Sequence, residues 1–459
     1  MQRINFPRPM VLNCPFFHNR QTSGAYAYLS LLLLFCLLGS ECRSADLRLL
    51  TLDEALRIAA DQNKDILKAK EYRKKVLGRY IEEKAAAMPQ FMASSSVSKD
   101  SDSSQKAFGG GFFRDMPVTR NLLVADVGVS QVLFTWGQVG AALRAAKEGI
   151  ADAEAQLTIY QQAVARDVTA AYYDILLAKE TFVLAQENQH QKSRHLEETR
   201  KKYETGTATD FDILAAQVAM NNAQPEVIRT ENLMRTSREQ LRFLLGWEGQ
   251  EIDVTGQLSQ EIHPYPEFDG LMPVALQNRP DLHEMDHQEG ITRELLKINQ
   301  AGNKPRLDFR GGAGWHHMTI GPGTAGGAAY SAGVYLTFPF HDSGRTAGRL
   351  IQVRSDLERL RLEKAKFVDA MALQLRQGVN AVRESGEIVR ALAGNVTLAE
   401  QLLAMAEKGY EYGIKTRLEV EDAQLNLRLA KSSLSRARRD YLVAMITLDW
   451  ITGTIRTTP

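Results

Sequence analysis

Glycine spacing sets the frame of this chain. Gly137 and Gly206 stand 69 residues apart, as do Gly344 and Gly413, and each pair is followed 40 residues later by a further glycine, Gly246 or Gly453. Asn63-Lys64-Asp65-Ile66 precedes Pro89-Gln90-Phe91 by 24 residues from aspartate to proline, and Arg279-Pro280-Asp281-Leu282 precedes Pro305-Arg306-Leu307 by the same 24. Only the steps from Pro89 to Gly137 (48) and from Pro305 to Gly344 (39) differ. Duplicated scaffolds keep their elements and vary their loops. The chain therefore reads as two structural repeats, 45–262 and 263–459, whose difference of nine residues lies in one segment of each.

That variable segment has the period of a strand. Ala332, Val334, Leu336 and Phe338 share one face while Ser331, Gly333, Tyr335 and Thr337 share the other, as in a strand wetted on one side only. Leu307, Phe309, Ala313 and Trp315 alternate in the same way with Asp308, Arg310, Gly312 and His316, and the Gly-rich stretch GPGTAGGAAY is expected to be the loop between them. The first repeat runs FMASSSVS, a Ser/Gly-rich loop from Lys99 to Asp115, then LVADVGVSQVLF. The expectation is two β-hairpins, 90–135 and 306–340, with strands of about ten residues, the length that crosses an outer membrane when tilted. Four such strands do not close into a barrel, and an open edge is not tolerated in lipid. Two copies of the chain would give eight strands, filled by side chains; three give twelve and leave a lumen, so the trimer is expected.

Outside these hairpins the periodicity is helical. Thr51-Leu-Asp-Glu54 is a capping box that opens an amphipathic helix expected to run to about Met88, and its counterpart is expected to begin near Pro273. After Gly137, Val164, Ala171, Ala178 and Ala185 recur every seven residues beside Val168, Ile175, Phe182, Leu196 and Tyr203, a coiled-coil stripe on a helix roughly 100 Å long. Tyr203-Glu-Thr-Gly206 and Tyr410-Glu-Tyr-Gly413 end such helices with a left-handed glycine. Thr209-Asp-Phe-Asp212 and Thr416-Arg-Leu-Glu419 then cap the return helices, so Gly206 and Gly413 mark two tight helical-hairpin tips. Pro225 sits inside the first return helix and is expected to kink it.

The amino-terminal stretch carries Arg3, Arg8 and Arg20, an apolar run from Ala25 to Leu38 and small or polar residues to Ala45. This is the layout of a secretory signal peptide, 1–44, with cleavage expected between Ser40 and Ala45; the run is too short for a membrane span of about 20 residues. Cys42 raises the question of lipidation, against which stands Glu41, where a lipobox wants a small residue. All three cysteines, Cys14, Cys36 and Cys42, fall in this leader, leaving the exported body without disulfides. Lys+Arg 56 against Asp+Glu 55 gives a net charge of +1, which offers no electrostatic handle to nucleic acid.

Taken together, these landmarks resemble those of the TolC-like outer-membrane efflux and secretion channels, over essentially all of the mature chain. The resemblance rests on Arg279-Pro280-Asp281-Leu282 and its weaker counterpart Asn63-Lys64-Asp65-Ile66, on the Leu-Phe or Pro-Phe strand ends before a glycine, and on the Tyr-x-x-Gly tips followed by Ala216-Gln217 and Ala423-Gln424. It implies a mainly α fold with a membrane β-barrel portion: a homotrimer whose twelve strands sit in outer-membrane lipid and whose coiled-coil helices form a tunnel through the periplasm of a Gram-negative bacterium. It also implies partners, a periplasmic adaptor (membrane fusion) protein and an inner-membrane transporter, in a tripartite efflux or type I secretion system with efflux transmembrane transporter activity. By position, Tyr410, Lys415 and Asp212 would form the periplasmic gate between neighbouring coils, and Glu419 and Asp422 an acidic pore ring. Lys415 stands where an arginine would make a bidentate contact, so it would hold more weakly. Asp212 and Glu419 are equally accounted for as capping residues, Asp422 as a solvated one, and Tyr410 as packing beneath a turn.

Other chemistry finds no support. Gly321-Pro-Gly323-Thr-Ala-Gly326 matches a dinucleotide motif on paper, but a strand and not a helix follows it. His316-His317 lacks neighbouring ligands at metal spacing and is expected at a strand end or loop, and no nucleophile elbow is present. No catalytic, cofactor or metal site is assigned, and the chain is not read as an enzyme. The alternative to a channel is a secreted coiled-coil structural or adhesive protein, which would leave the one-sided strands and the equal spacings without a role.

Overall fold

The computed structural model describes residues 47–102, 118–249, 251–259, 262, 267–320 and 323–457. The expected leader with its three cysteines, most of the Ser/Gly-rich loop and Gly321 lie outside the described residues. Described elements run in the order β1 (Arg48–Leu50), α1 (Leu52–Gln62), α2 (Lys64–Ala86), β2 (Gln90–Asp102), β3 (Val118–Phe134), α3 (Gln138–Glu204), α4 (Asp210–Leu245) and β4 (Ile252–Val254). They continue with α5 (Phe268–Asn278), α6 (Pro280–Gln300), β5 (Arg306–Ile320), β6 (Gly323–Thr337), α7 (Arg345–Glu411) and α8 (Arg417–Ile451).

The four long strands form one antiparallel sheet in the order β2-β3-β5-β6. Its register places Phe91 against Val129, Leu123 against His317, Trp315 against Ala328 and Ala313 against Tyr330. Because side chains alternate across a pleat, Phe91, Val97, Leu123, Val127, Trp315, Tyr330, Val334 and Leu336 fall on one face and stand exposed there, Tyr330 at 90%. Ser94, Ser96, Asp126, Arg310, His316 and Ser331 fall on the other. The strands are 13, 17, 15 and 15 residues long, more than the ten expected. Much of the Gly-rich stretch expected as a loop is strand β6, paired residue for residue with β5 from Gly323 opposite Ile320 onward; a Cβ on Gly326 would lie 2.8 Å from His317 Nδ1. His316 likewise lies within β5, where its Nε2 is 2.9 Å from Asp126 Oδ1.

Each of α3 and α7 has 67 residues, about 100 Å of helix. Both open after two successive left-handed residues, Trp136-Gly137 and Ser343-Gly344, which turn the chain from strand into helix. Val164, Val168, Ala171, Ile175, Ala178, Ala185 and Leu196 of the heptad stripe are buried. Midway along, β1 pairs in parallel with β4, and Leu50, Ile252 and Val254 pack with Ile175, Leu241, Leu245 and Leu258. Asp253 is buried there between Lys179 (2.8 Å) and Arg238 (3.0 Å), and the two cations and a backbone N–H hold its carboxyl below the usual range against the desolvation that pushes it up.

Two helix boundaries differ from expectation. The helix opened by the Thr51 capping box stops at Gln62, because Asn63 adopts an extended ψ of 129° and caps α2. Its Oδ1 accepts from Asp65 N (2.9 Å) and Ile66 N (3.2 Å) while its Nδ2 donates to Leu244 O (2.7 Å). In the second half α5 starts at Phe268 with Pro273 inside it, at the cost of one helical hydrogen bond, and the first-turn proline is Pro280 of α6. Pro225 lies within α4, which continues through it from Asp210 to Leu245.

Glycine separates two kinds of position in this fold. Gly246 has φ +66° and a Cβ there would lie 2.5 Å from Gln62 O, whereas Gly78 sits inside α2 with nothing within 4 Å of its Cβ position. Gly246→Ala is expected to lower stability by more than about 1 kcal/mol and Gly78→Ala to raise it by about 0.5–1 kcal/mol. Thermal melting of the purified protein, followed by circular dichroism, should show shifts of opposite sign.

Candidate functional site

The two hairpin tips are built by the same local device. At the first, Gly206 (φ +75°) donates to Tyr203 O (2.9 Å) and Thr207 N to Lys202 O (2.8 Å). At the second, Gly413 (φ +73°) donates to Tyr410 O (3.0 Å) and Ile414 N to Gly409 O (2.8 Å). These paired bonds satisfy the last helical carbonyls and require a residue that tolerates positive φ. Three residues on, Thr209 and Thr416 each cap the next helix. Asp212 N donates to Thr209 Oγ1 (3.3 Å) and Thr209 N to Asp212 Oδ2 (2.8 Å); Glu419 N donates to Thr416 Oγ1 (3.3 Å) and Thr416 N to Glu419 Oε2 (2.7 Å).

These caps occupy two of the residues singled out in the sequence. Asp212 is exposed, and the backbone N–H and hydroxyl of Thr209 hold its carboxyl below the usual range. Lys415 Nζ lies 2.5 Å from Glu419 Oε1, and that contact, with the Thr416 backbone and hydroxyl, lowers the Glu419 pKa to about 2. The Lys415 stem crosses Gly409, where a Cβ would stand 2.5 Å from Lys415 Cγ. The Tyr410 ring is approached by Lys202 and Arg417, each 6.0 Å from its centroid. Among the described residues no hydrogen bond joins Tyr410, Lys415 and Asp212 within the chain. Asp422 is exposed on α8 and has no polar partner among the described residues.

A residue that sequence reasoning missed ties the two hairpins together near the tips. Glu421 Oε1 on α8 lies 3.6 Å from Lys192 and 3.9 Å from His195, both on α3, and 3.6 Å from Arg417. Burial and the neighbouring Arg417 push the His195 pKa down, so the imidazole is held neutral more firmly than a free one. The i,i+4 pair Arg417–Glu421 is visible in the sequence. The α3 partners are not, because they come from a helix more than 200 residues away.

A profile of the family described as "Outer membrane efflux protein" matches residues 55–247 and 271–454. Outer membrane protein TolC of Vibrio cholerae is 24% identical over 347 residues, 74% of this chain and 78% of that protein. Alkaline protease secretion protein AprF of Pseudomonas aeruginosa is 24% identical over 380 residues, 81% of this chain and 78% of that one. Among solved structures, that of a membrane protein from Pseudomonas aeruginosa superposes with a TM-score of 0.74 at 17% identity, covering 88% of this chain and 93% of that one.

The tip makes a prediction about local stability. Glu419 has a folded pKa below its free value, so the protection it gives is present above about pH 4.5 and is lost as pH falls through about 2. Thr416→Ala removes the hydroxyl that accepts from Glu419 N, about 1 kcal/mol of capping. Near pH 7, hydrogen–deuterium exchange corrected for intrinsic rate should speed up about fivefold across 414–420 and stay unchanged across 207–213.

Proposed function

Since this chain belongs to the outer membrane efflux protein family, whose members are passive outer-membrane channels and not enzymes, we propose that it is the exit duct of a tripartite efflux or type I secretion system. The observation that carries this reading is a single sheet of four one-sided strands joined to two helical hairpins whose first arms are about 100 Å long. In the proposed assembly three copies place twelve strands in a closed barrel in the outer membrane, with the apolar face toward lipid and the Ser/Asp/Arg face toward water. The helices then continue the duct into the periplasm. A secretory leader, 1–44, would bring the chain there. Two structural repeats, 45–262 and 263–459, are supported by the equal lengths of α3 and α7, the paired capping boxes and the left-handed glycines Gly246 and Gly453. TolC and AprF are named for the outer membrane and for secretion; a secreted adhesive coiled coil has no counterpart among them.

The tips, Gly206 and Gly413, form the periplasmic entrance in this reading. Tyr410, Lys415 and Asp212 act as the gate across neighbouring coils, where the contact of Lys415 with Glu419 would be exchanged for one with Asp212 of the adjacent hairpin. Glu419 and Asp422, repeated threefold about a narrow axis, form the acidic ring that attracts cations. Opening is a population shift between two coil packings, driven by contacts that a periplasmic adaptor makes only with the open one, while an inner-membrane transporter supplies the energy.

Extraction and bilayer recording test the proposal together. The protein should require detergent, run as a trimer and conduct ions in a planar bilayer; a monomer that dissolves without detergent would refute it. Replacing Asp212 and Lys415 together with Ala should raise resting conductance, and replacing Glu419 and Asp422 with Ala should lower the preference for cations over anions. Unchanged conductance in the first variant removes the gate, and unchanged selectivity in the second removes the ring.

A further inference from the structure

Helix α6 carries His283-Glu284-Met285-Asp286-His287, two histidines four residues apart with a glutamate after the first. Residues at i and i+4 lie one above the other on a helix, with Cβ atoms about 5–6 Å apart. His283 is exposed, and the His287 side chain is 32% exposed. Each ring is held at one nitrogen by an acceptor. His283 Nε2 lies 3.1 Å from Gln277 O, near the end of α5, and His287 Nδ1 lies 2.8 Å from Glu148 Oε2 on α3. A carbonyl oxygen and an ionised carboxylate accept but do not donate, so both contacted nitrogens carry the proton. The lone pairs of the neutral rings therefore stand on His283 Nδ1 and His287 Nε2. No hydrogen bond reaches either nitrogen among the described residues. Gly290, one turn beyond His287, gives Glu148 its path: a Cβ there would lie 3.3 Å from the Glu148 carboxylate.

An imidazole whose second nitrogen donates to a carboxylate or a backbone carbonyl is the arrangement that metal-ligating histidines adopt, because it fixes the tautomer and raises the basicity of the free nitrogen. We propose that His283 Nδ1 and His287 Nε2 bind one divalent transition-metal cation, with Glu148 as the positioning residue of His287. Donor type selects the class. Cu²⁺, Ni²⁺ and Zn²⁺ accept imidazole nitrogen, whereas Mg²⁺ and Ca²⁺ take oxygen ligands. The carboxylates of this helix are committed elsewhere: Asp281 to Arg279, Asp286 to Lys364, and Glu289 to Arg293 and Arg361. Glu284 stands where the metallopeptidase form of this motif places its general base, but its Oε1 accepts from Gln156 Nε2 (2.9 Å) and Gln288 Nε2 (3.2 Å). The site therefore binds an ion and does not hydrolyse a substrate. No three acidic, His or Cys side chains form a metal-binding group among the described residues, so water completes the coordination of an ion held by the two rings. This site is independent of whether the duct conducts.

Isothermal titration of the purified protein in detergent, without a histidine tag, tests the assignment with CuCl₂, ZnCl₂ and MgCl₂, alongside electron paramagnetic resonance of the protein loaded with one equivalent of copper. The expected result is saturable Cu²⁺ binding, weaker Zn²⁺ binding and no Mg²⁺ binding, with nitrogen hyperfine structure in the copper spectrum. His283→Gln and His287→Gln should each weaken copper binding by about tenfold or more, without changing elution volume or helical circular dichroism. Glu148→Ala should weaken it by about 10–100-fold, and Glu148→Gln, which still accepts from the Nδ1 proton, should fall between that variant and the native chain. The assignment is overturned if the native protein shows no saturable copper binding, if its copper spectrum lacks nitrogen coupling, or if a folded variant lacking either histidine binds as the native chain does. A folded Glu148→Ala variant with native affinity removes the positioning role of that residue. The first two outcomes need no variant, so misfolding of a substituted chain leaves the test decisive.

Discussion

Backbone hydrogen bonding in hydrocarbon is the constraint on which the rest of this molecule depends. Lipid offers no water to an N–H or C=O, so a spanning strand needs a partner on each edge. In the order β2-β3-β5-β6, each inner strand has two partners within the chain while β2 and β6 have one. Under the proposed trimer, β6 of one copy pairs with β2 of the next, and association is then a condition of membrane insertion and not a later refinement of it. In the proposed barrel the apolar face around Phe91, Val127 and Tyr330 would meet lipid.

Much of this was legible in advance because its causes are local. A Thr followed three residues later by Asp or Glu announces a cap; a glycine after a Tyr-x-x run announces a helix end; period-two alternation announces a strand with one wet face. The tips at Gly206 and Gly413 and the four strands depend on little else. What was misread is where two local rules compete. Asn63 fits an amphipathic helix pattern well enough to be read through, yet its amide serves α2 better as a cap and Leu244 better as a donor. Pro273 resembled a first-turn proline because Phe268 to Met272 carries no stronger start signal. Contacts across the fold, such as Glu421 with Lys192 and His195, were beyond reach because they arise when helices distant in sequence are laid side by side.

The two halves also reach one shape by different chemistry. Both break a helix at matching places, but Asn63 does so with a capping amide and Arg279 with a buried cation only 3% exposed. The guanidinium lies between Trp450 (4.9 Å) and Phe367 (5.4 Å) and pairs with Asp281 at 2.9 Å. Stacking and pairing satisfy it where a lysine's point charge would not. Gly246 and Gly453 meanwhile abut the carbonyls of Gln62 and Asn278 in the same manner, at 2.5 and 2.7 Å from their Cβ positions. Backbone geometry at these junctions tolerates less change than the side chains that enforce it.

The three-residue ribbon of β1 on β4 ties Arg48 to Ile252 across some 200 positions of chain. Closing so wide a circuit costs entropy before any of its buried contacts reward it. Until Val254 is brought back to it, Leu50 has no strand mate, so this clasp at the waist can close only once the long span of chain between them has been gathered in.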